Sequence, residues 1–326
     1  MEKLLKPLKI GTLKLKGNIL LAPLAGWSDA AFRCICIKWG AFFTYTEMIS
    51  SEACARNSEK TLKLLVRAKN EKKLGFQIFA SSPETAAICV KKIIKYKPSL
   101  IDLNCGCSIN KVLKTGSGAS LLKSPLKIMQ IIKAMKNETD VPVTVKLRSG
   151  WDSDTINYIK TAEYAVKGGA DLITLHPRTK TQLFSGKVEL KYLAELKKNI
   201  SVPVIGSGNL FTAGDIRNML MKTNCDGVMI GRGSFGNPFI FKDTIHLLKN
   251  KKHSKKPASK KRLQTALNQL KIMSKVKGEK LACIEMRKHM CSYSKGIKGS
   301  SELRKKIVKA STLYEYETII KEFLNN

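Results

Sequence analysis

A chain of 326 residues with 43% hydrophobic content is long enough for one barrel-sized domain and a smaller second one. No run approaches the roughly 18 uncharged apolar residues of a membrane-spanning helix, the first residues hold no apolar secretion core, and the nine cysteines have no disulfide-framework spacing, so nothing suggests a membrane or secreted protein and reduced thiols in the cytoplasm are expected. The net charge of +34 favours a polyanionic partner, nucleic acid above all.

Eight short apolar, β-rich segments follow one another at 18–26, 42–49, 74–80, 99–105, 141–148, 170–177, 202–209 and 226–233. Their near-continuous hydrophobicity is that of strands buried on both faces, as in parallel sheets. Helix-period segments separate most of them, at 83–96, 125–136, 155–167 and 212–221. Ser82 and Ser124 stand as N-caps before Pro83 and Pro125, and Asp154 and Thr212 read as further caps. Eight strand–helix units predict an α/β fold, a (β/α)8 TIM barrel, over residues 1–240; a doubly wound open sheet is the alternative.

Strand signals stop after Gly236. The hydrophilic run 249–262 reads as a linker or solvated loop, and amphipathic patterns at 263–275, 280–293, 301–310 and 312–323 predict a C-terminal all-α helical bundle, residues 241–326. Residues 251–326 carry 20 basic and 6 acidic side chains, against 39 and 19 in residues 1–250. A lysine bias in the genome raises surface charge everywhere, whereas concentration in the tail favours a basic binding module there.

In a barrel of this kind the active site lies at the C-terminal strand ends, so the polar residues there form the candidate list. The first strand ends in the small-residue turn Pro23-Leu24-Ala25, the second in Glu47-Met48, and the third carries Gln77. The fourth offers Asp102, Asn104 and Cys107, followed by a basic, Gly-rich stretch; the fifth offers Lys146 and Arg148, and the sixth His176 and Arg178. Ser207-Gly208-Asn209 and Gly231-Arg232-Gly233 follow the last two strands, where backbone N–H groups hold a phosphate in such barrels. Lys146 inside a buried strand is costly unless it faces a ligand or an acid such as Asp102. Cys107 reads as a nucleophile, a proton donor or a metal ligand; with no second cysteine pair or spaced histidines, no metal site is expected. Cys34 and Cys36 read as packing residues on a helix face.

Together these segments are similar to one family. The stretches APLAGWSDAAFR (22–33), TEM (46–48), QIFA (77–80), DLNCGC (102–107), VKLRSGW (145–151), LHPRT (175–179), IGSGNLFT (205–212), MIGRGSFGNPFIF (229–241) and MRKHMCSYSKG (286–296) resemble, in order and over essentially the whole chain, the tRNA-dihydrouridine synthases, most closely the bacterial B-type branch. The resemblance implies an oxidoreductase with FMN as cofactor, NADPH (or NADH) as electron donor and a uridine in tRNA as substrate. By position, Pro23, Leu24, Ala25, Gln77, Lys146 and His176 would contact the flavin, and Ser207, Gly208, Asn209, Gly231 and Arg232 its phosphate end. Asn104 and Arg178 would face the uracil, and Cys107 would be the catalytic acid. Arg287, Lys288 and His289, with Lys295 and Arg304, would bind the RNA backbone beside the barrel mouth. A monomer acting in the cytoplasm, without membrane or metal, is expected. A small-molecule pyrimidine oxidoreductase, like dihydroorotate dehydrogenase, and a non-catalytic RNA-binding barrel are the competing readings. The chain departs from the family at Ser108, where proline usually follows the cysteine, and at Ser207-Gly208-Asn209, where Asn-Gly-Asp is frequent.

Overall fold

The computed structural model describes residues 4–250 and 252–325. Its first element is a hairpin, β1 (Leu8–Ile10) and β2 (Leu13–Leu15), which the sequence reading did not include. The alternation LKI-GT-LKL was its signal: Leu8, Ile10, Leu13 and Leu15 point inward while Lys9 and Lys14 face solvent. These four side chains pack with Leu20, Phe43, Leu100, Leu172, Ile205 and Met229 and plug the barrel at its N-terminal end.

The barrel strands are β3 (Ile19–Leu21), β4 (Ile49–Ser50), β5 (Gly75–Phe79), β6 (Leu100–Cys105), β7 (Val143–Arg148), β8 (Leu172–His176), β9 (Val204–Ser207) and β10 (Gly227–Ile230). They form one parallel sheet in which β10 returns to pair with β3. The second segment departs from expectation. Instead of one strand over 42–49 it makes isolated bridges, Phe43 to Leu20 and Tyr45 to Gly75, before the short β4. Its backbone bonds still join the two sides, because Leu21 N donates to Phe43 O and Thr46 N donates to Gly75 O. The chain thus closes the sheet into a barrel through bridges, which is the predicted (β/α)8 architecture.

The helices in chain order are α1 (Ala30–Lys38), α2 (Ser51–Ala55), α3 (Glu59–Leu62), α4 (Pro83–Ile93), α5 (Asn110–Leu113), α6 (Pro125–Lys136), α7 (Tyr158–Lys167), α8 (Leu190–Asn199), α9 (Ala213–Thr223) and α10 (Ile240–Asn250). Ser82 caps α4 by accepting from Thr85 N, and Thr212 closes a capping box with Asp215 on α9. Ser124 precedes α6 without a side-chain cap bond. Asp154 is not a cap, because α7 begins only at Tyr158 after Asn157.

The C-terminal helices are α11 (Ser259–Lys277), α12 (Glu279–Tyr293), α13 (Ser300–Lys309) and α14 (Leu313–Asn325). They share a core of their own, with Leu270, Met286, Tyr293, Leu303 and Tyr316 fully buried. Helix α10 has the other allegiance. Its Ile240 and Phe241 lie in the barrel core, so the helix after residue 240 completes the barrel and the solvated run begins only after Asn250. The two cores meet where α1 packs on α11 and Ala31 enters the helical core. Gly236 makes a second close approach possible: a Cβ there would lie 2.2 Å from the Ser292 carbonyl carbon on α12, and its φ of +60° suits glycine.

Candidate active site

Strand register assembles the site. Gln77 lies beside Asp102, Asn104 beside Lys146, and Arg148 beside His176 across the pairs β5–β6, β6–β7 and β7–β8. These side chains meet at the C-terminal end of the barrel around a cavity of about 430 Å³. Pro23, Leu24, Ala25, Gln77, Asn104, Cys107, Lys146, His176, Ser207, Gly208, Asn209, Gly231 and Arg232 all line it.

A polar chain runs from the buried floor to the cysteine turn. Thr144 Oγ1 donates to Asp102 Oδ1 (2.5 Å), and Gln77 Nε2 donates to Asp102 Oδ2 (2.7 Å). Asn104 Nδ2 donates to Gln77 Oε1 (2.8 Å), and Asn104 Oδ1 accepts from Gly106 N (3.1 Å) and Cys107 N (2.9 Å). The two ends agree: an ionised carboxylate only accepts and the backbone N–H groups only donate, so both amides have one allowed orientation. Burial pushes Asp102 up to about 6, against the lowering hydrogen bonds from Thr144 and Gln77. Burial also raises Cys107, so its sulfur is held as a neutral thiol at neutral pH.

The opposite wall is cationic. Burial, with Arg148 nearby, lowers Lys146 to about 8, and its Nζ makes no hydrogen bond or ion pair among the described residues. Arg148 is lowered to about 10 by burial and then by Arg178; its Nε donates to Gly106 O and its Nη1 to Thr179 O. His176 lies well below its usual value, first by burial and then by Lys146 and the neighbouring arginines, so the imidazole is neutral. Gly208 touches this ring: at φ +110° a Cβ would lie 2.7 Å from His176 Cδ2. Ser207 donates its hydroxyl to Met229 O. Ser108, the residue in place of proline, lines the cavity with a buried hydroxyl that has no partner.

Three of the expected substrate contacts point elsewhere. Arg178 is 2% exposed and spends its guanidinium on Ser185 O, Gly186 O and Asn209 Oδ1, so it pins the loop after β8 rather than facing a substrate. His289 is 1% exposed, wedged against Trp27 and Phe32 where barrel and helices meet, and burial lowers it to about 3; an imidazole so placed does not reach an RNA backbone. Arg287 is half-buried inside the helical unit, its Nη2 donating to Ala310 O. Lys288 alone of these reaches the mouth, with Nζ 5.8 Å from the Trp27 ring centre.

The residue list missed the aromatic rim. Trp27 stacks on Phe235 at 3.7 Å, and Phe184 stands beside the Arg232 guanidinium at 4.2 Å, all lining the cavity. Trp27 was legible in the turn after the first strand, whereas Phe184 sits in a loop with no periodicity to mark it. No helix among the described residues is long and apolar enough to cross a membrane.

A model of the family described as "Dihydrouridine synthase (Dus)" matches residues 20–326. The chain is 41% identical over 326 residues to "Probable tRNA-dihydrouridine synthase" of Treponema pallidum (strain Nichols), covering 97% of this chain and 96% of that protein. It is 36% identical to a protein of the same description from Aquifex aeolicus (strain VF5), covering 94% and 96% of the two chains. It is 32% identical to "tRNA-dihydrouridine synthase B" of Pasteurella multocida (strain Pm70), covering 91% and 90%. Among solved structures, 2-naphthoyl-CoA reductase aligns with a TM-score of 0.60 at 13% identity, over 75% of this chain and 52% of that one. Morphinone reductase aligns with a TM-score of 0.55 at 12% identity, over 78% and 91%. At such identities these two structures establish the barrel fold alone.

Proposed function

The chain belongs to the dihydrouridine synthase family, and on that premise we propose that it reduces the C5–C6 double bond of a uridine in tRNA, using FMN held in the cavity and electrons from NADPH. One observation carries the reading: the Cys107 thiol and the unpartnered Lys146 ammonium line the same 430 Å³ cavity at the barrel mouth. The donor set fits a flavin phosphate. The end of the cavity near β8–β10 presents Arg232 and a neutral His176, with Arg148 of β7 beside them and no carboxylate in the lining, and Gly231 leaves the backbone open to close approach.

A reduced flavin held by these residues would supply the hydride for C6 of the uracil ring. The protein's share is to position, to protonate and to exclude water. Pro23, Leu24 and Ala25 form one wall, Gln77 and Lys146 another, and the phosphate end belongs to the glycine turns after β9 and β10. Lys146 offers a positive charge beside the electron-rich ring. Asn104 turns its amide toward the mouth and holds the Gly106 and Cys107 N–H groups, which fixes where the thiol stands. Cys107 gives its proton to C5; burial keeps the thiol protonated until that transfer. Within an RNA the uridine must leave its stack to enter the barrel. The helical unit packed beside the mouth, with Lys288 at its edge, favours a polymeric substrate over a free pyrimidine. In this reading the enzyme acts as a cytoplasmic monomer.

The test is mass spectrometry of tRNA after incubation with enzyme and NADPH. Wild type adds two hydrogens per target uridine, whereas Cys107→Ala keeps its yellow flavin and loses about 10²–10⁴ of the rate. Cys105→Ala is the control, because Cys105 is fully buried in β6 and does not line the cavity. Equal turnover by wild type and Cys107→Ala removes the thiol from the reaction.

A further inference from the structure

The proposed chemistry leaves one feature unused, the basic stretch after Cys107. Residues 103–137 contain six lysines and neither aspartate nor glutamate. Lys111 and Lys114 are exposed on and just after α5, and Lys123 is exposed at the end of the turn Gly118–Lys123. All three lie in the connection from β6 to α6, on the face of the barrel where the cavity opens.

Lys123 converges there with a lysine from another connection. Lys123 Nζ stands 3.8 Å from the ring centre of Trp151, and Lys180 Nζ stands 4.3 Å from the same ring. Trp151 follows β7 and Lys180 follows β8. The backbone locks them together, since Lys180 N donates to Gly150 O and Thr181 N donates to Trp151 O. Two ammonium groups on one indole repel each other, and the ring face is the attraction they share. Neither lysine forms an ion pair among the described residues. The nearest carboxylate on the chain, Asp152, is engaged: its Oδ1 accepts from Asp154 N, Thr155 N and the Thr155 hydroxyl. Asp152 feels the Lys123 charge without forming an ion pair with it, so one carboxylate faces two ammonium groups and an anion from outside the protein supplies the remaining counter-charge.

Position identifies the anion. Strand β7 is fifth around the eight-strand barrel and β3 is first, so the Trp151 rim lies across the cavity from the side where α1 and Trp27 meet the helical unit. We propose that Lys123 and Lys180, held on the Trp151 indole, bind a phosphodiester of the RNA strand whose uridine enters the cavity, gripping it opposite the helical unit. This rests on the tRNA reading above. The ring holds the ammonium groups upright at the rim, so they are ordered before RNA arrives and the strand is gripped on both sides of the base that is turned in.

The experiment measures tRNA affinity as a function of salt for Lys123→Glu/Lys180→Glu, against the control Lys133→Glu/Lys198→Glu, which makes the same charge change on the outer helices α6 and α8. The rim variant binds tRNA about tenfold or more weakly, with a slope of log affinity against log salt shallower by roughly 1.5, while the control stays within about twofold of wild type. Flavin content and tRNA-free NADPH oxidation are unchanged in the rim variant. Trp151→Leu weakens binding in the same direction, and Trp151→Phe, which keeps an aromatic face, restores most of it. Equal losses in rim and control variants, or an unaltered salt slope, overturn the proposal. So does a rise in KM for NADPH in place of weaker tRNA binding, which assigns the pair to dinucleotide phosphates. Wild-type protein that binds tRNA but forms no dihydrouridine refutes the proposed function and leaves this binding comparison readable; wild type that binds no tRNA refutes both.

Discussion

The cations at the seam between barrel and helices live differently from those at the cavity. At the seam Lys277 lies between Asp29, at 2.8 Å, and Glu285, and Asp29 also caps α1 by accepting from Phe32 N. Nearby, the buried Arg33 pairs with Glu71 at 2.8 Å, and Glu71 further accepts from Thr44 and Ala68 N. In the cavity Lys146 has no such partner among the described residues and Arg148 meets only carbonyl oxygens, while Arg178 behind the cavity wall meets carbonyl oxygens, the Asn209 amide oxygen and the His176 ring nitrogen, again without a carboxylate. A protein carrying 59 basic and 25 acidic side chains has too few carboxylates to pair every cation. The pairing it does have is spent on joining elements, and the cavity keeps its positive charge for a ligand. Paired cations therefore bear on stability and unpaired ones on binding.

That contrast is open to direct attack. Its sharpest test is Glu71→Ala, which strands a fully buried guanidinium and is expected to cost about 3–5 kcal/mol in urea unfolding, with flavin affinity following only the loss of folded protein. A loss below 1 kcal/mol would erase the distinction. Lys146→Met is the mirror experiment: FMN affinity of the apoprotein falls roughly 10- to 100-fold while unfolding free energy stays level or rises, because an unpaired buried cation is removed. Lys146 also sets a pH dependence. With its pKa lowered to about 8, the amine is charged below that pH and neutral above it, so apoprotein affinity for FMN declines as pH rises through about 8, and Lys146→Met flattens this limb. A smaller effect is expected at Lys277, which keeps 24% side-chain exposure: Lys277→Met costs about 1 kcal/mol, read as a lower Tm. Least is expected of Lys288→Glu, which leaves flavin content and Tm unchanged and weakens tRNA binding about twofold to fivefold at low salt. Arg287→Glu, in contrast, lowers Tm, since that side chain packs inside the helical unit.

The barrel was readable because a parallel strand covered on both faces must be almost wholly apolar, and β3 and β10 are such runs, while β6 and β8 keep an apolar majority around their few polar side chains. The second segment was less so. Thr44 donates to the Glu71 carboxylate and Thr46 accepts from the backbone N–H of Gln77, and only isolated bridges form around them. The hairpin at the start was written in plain alternation but is too short to stand out without the barrel floor it plugs. The cavity lining was legible wherever a side chain sits on a strand, since position on a parallel strand dictates which end it reaches. Arg178 and His289 escaped that logic. A guanidinium two residues past a strand end, and an imidazole on an amphipathic helix, point wherever packing sends them.

By itself the sequence determined the strand order, the glycine turns after the last two strands, the cysteine at the end of the fourth and the basic character of the final helices, because each follows from local pattern along the chain. Only the tertiary structure decided which cations find carboxylates, which way the Gln77 and Asn104 amides face, and that Lys123 and Lys180 come together on one indole. Those outcomes depend on contacts between residues separated by dozens of positions, and Coulomb and hydrogen-bond energies fall off within a few ångströms of distances that no local pattern encodes.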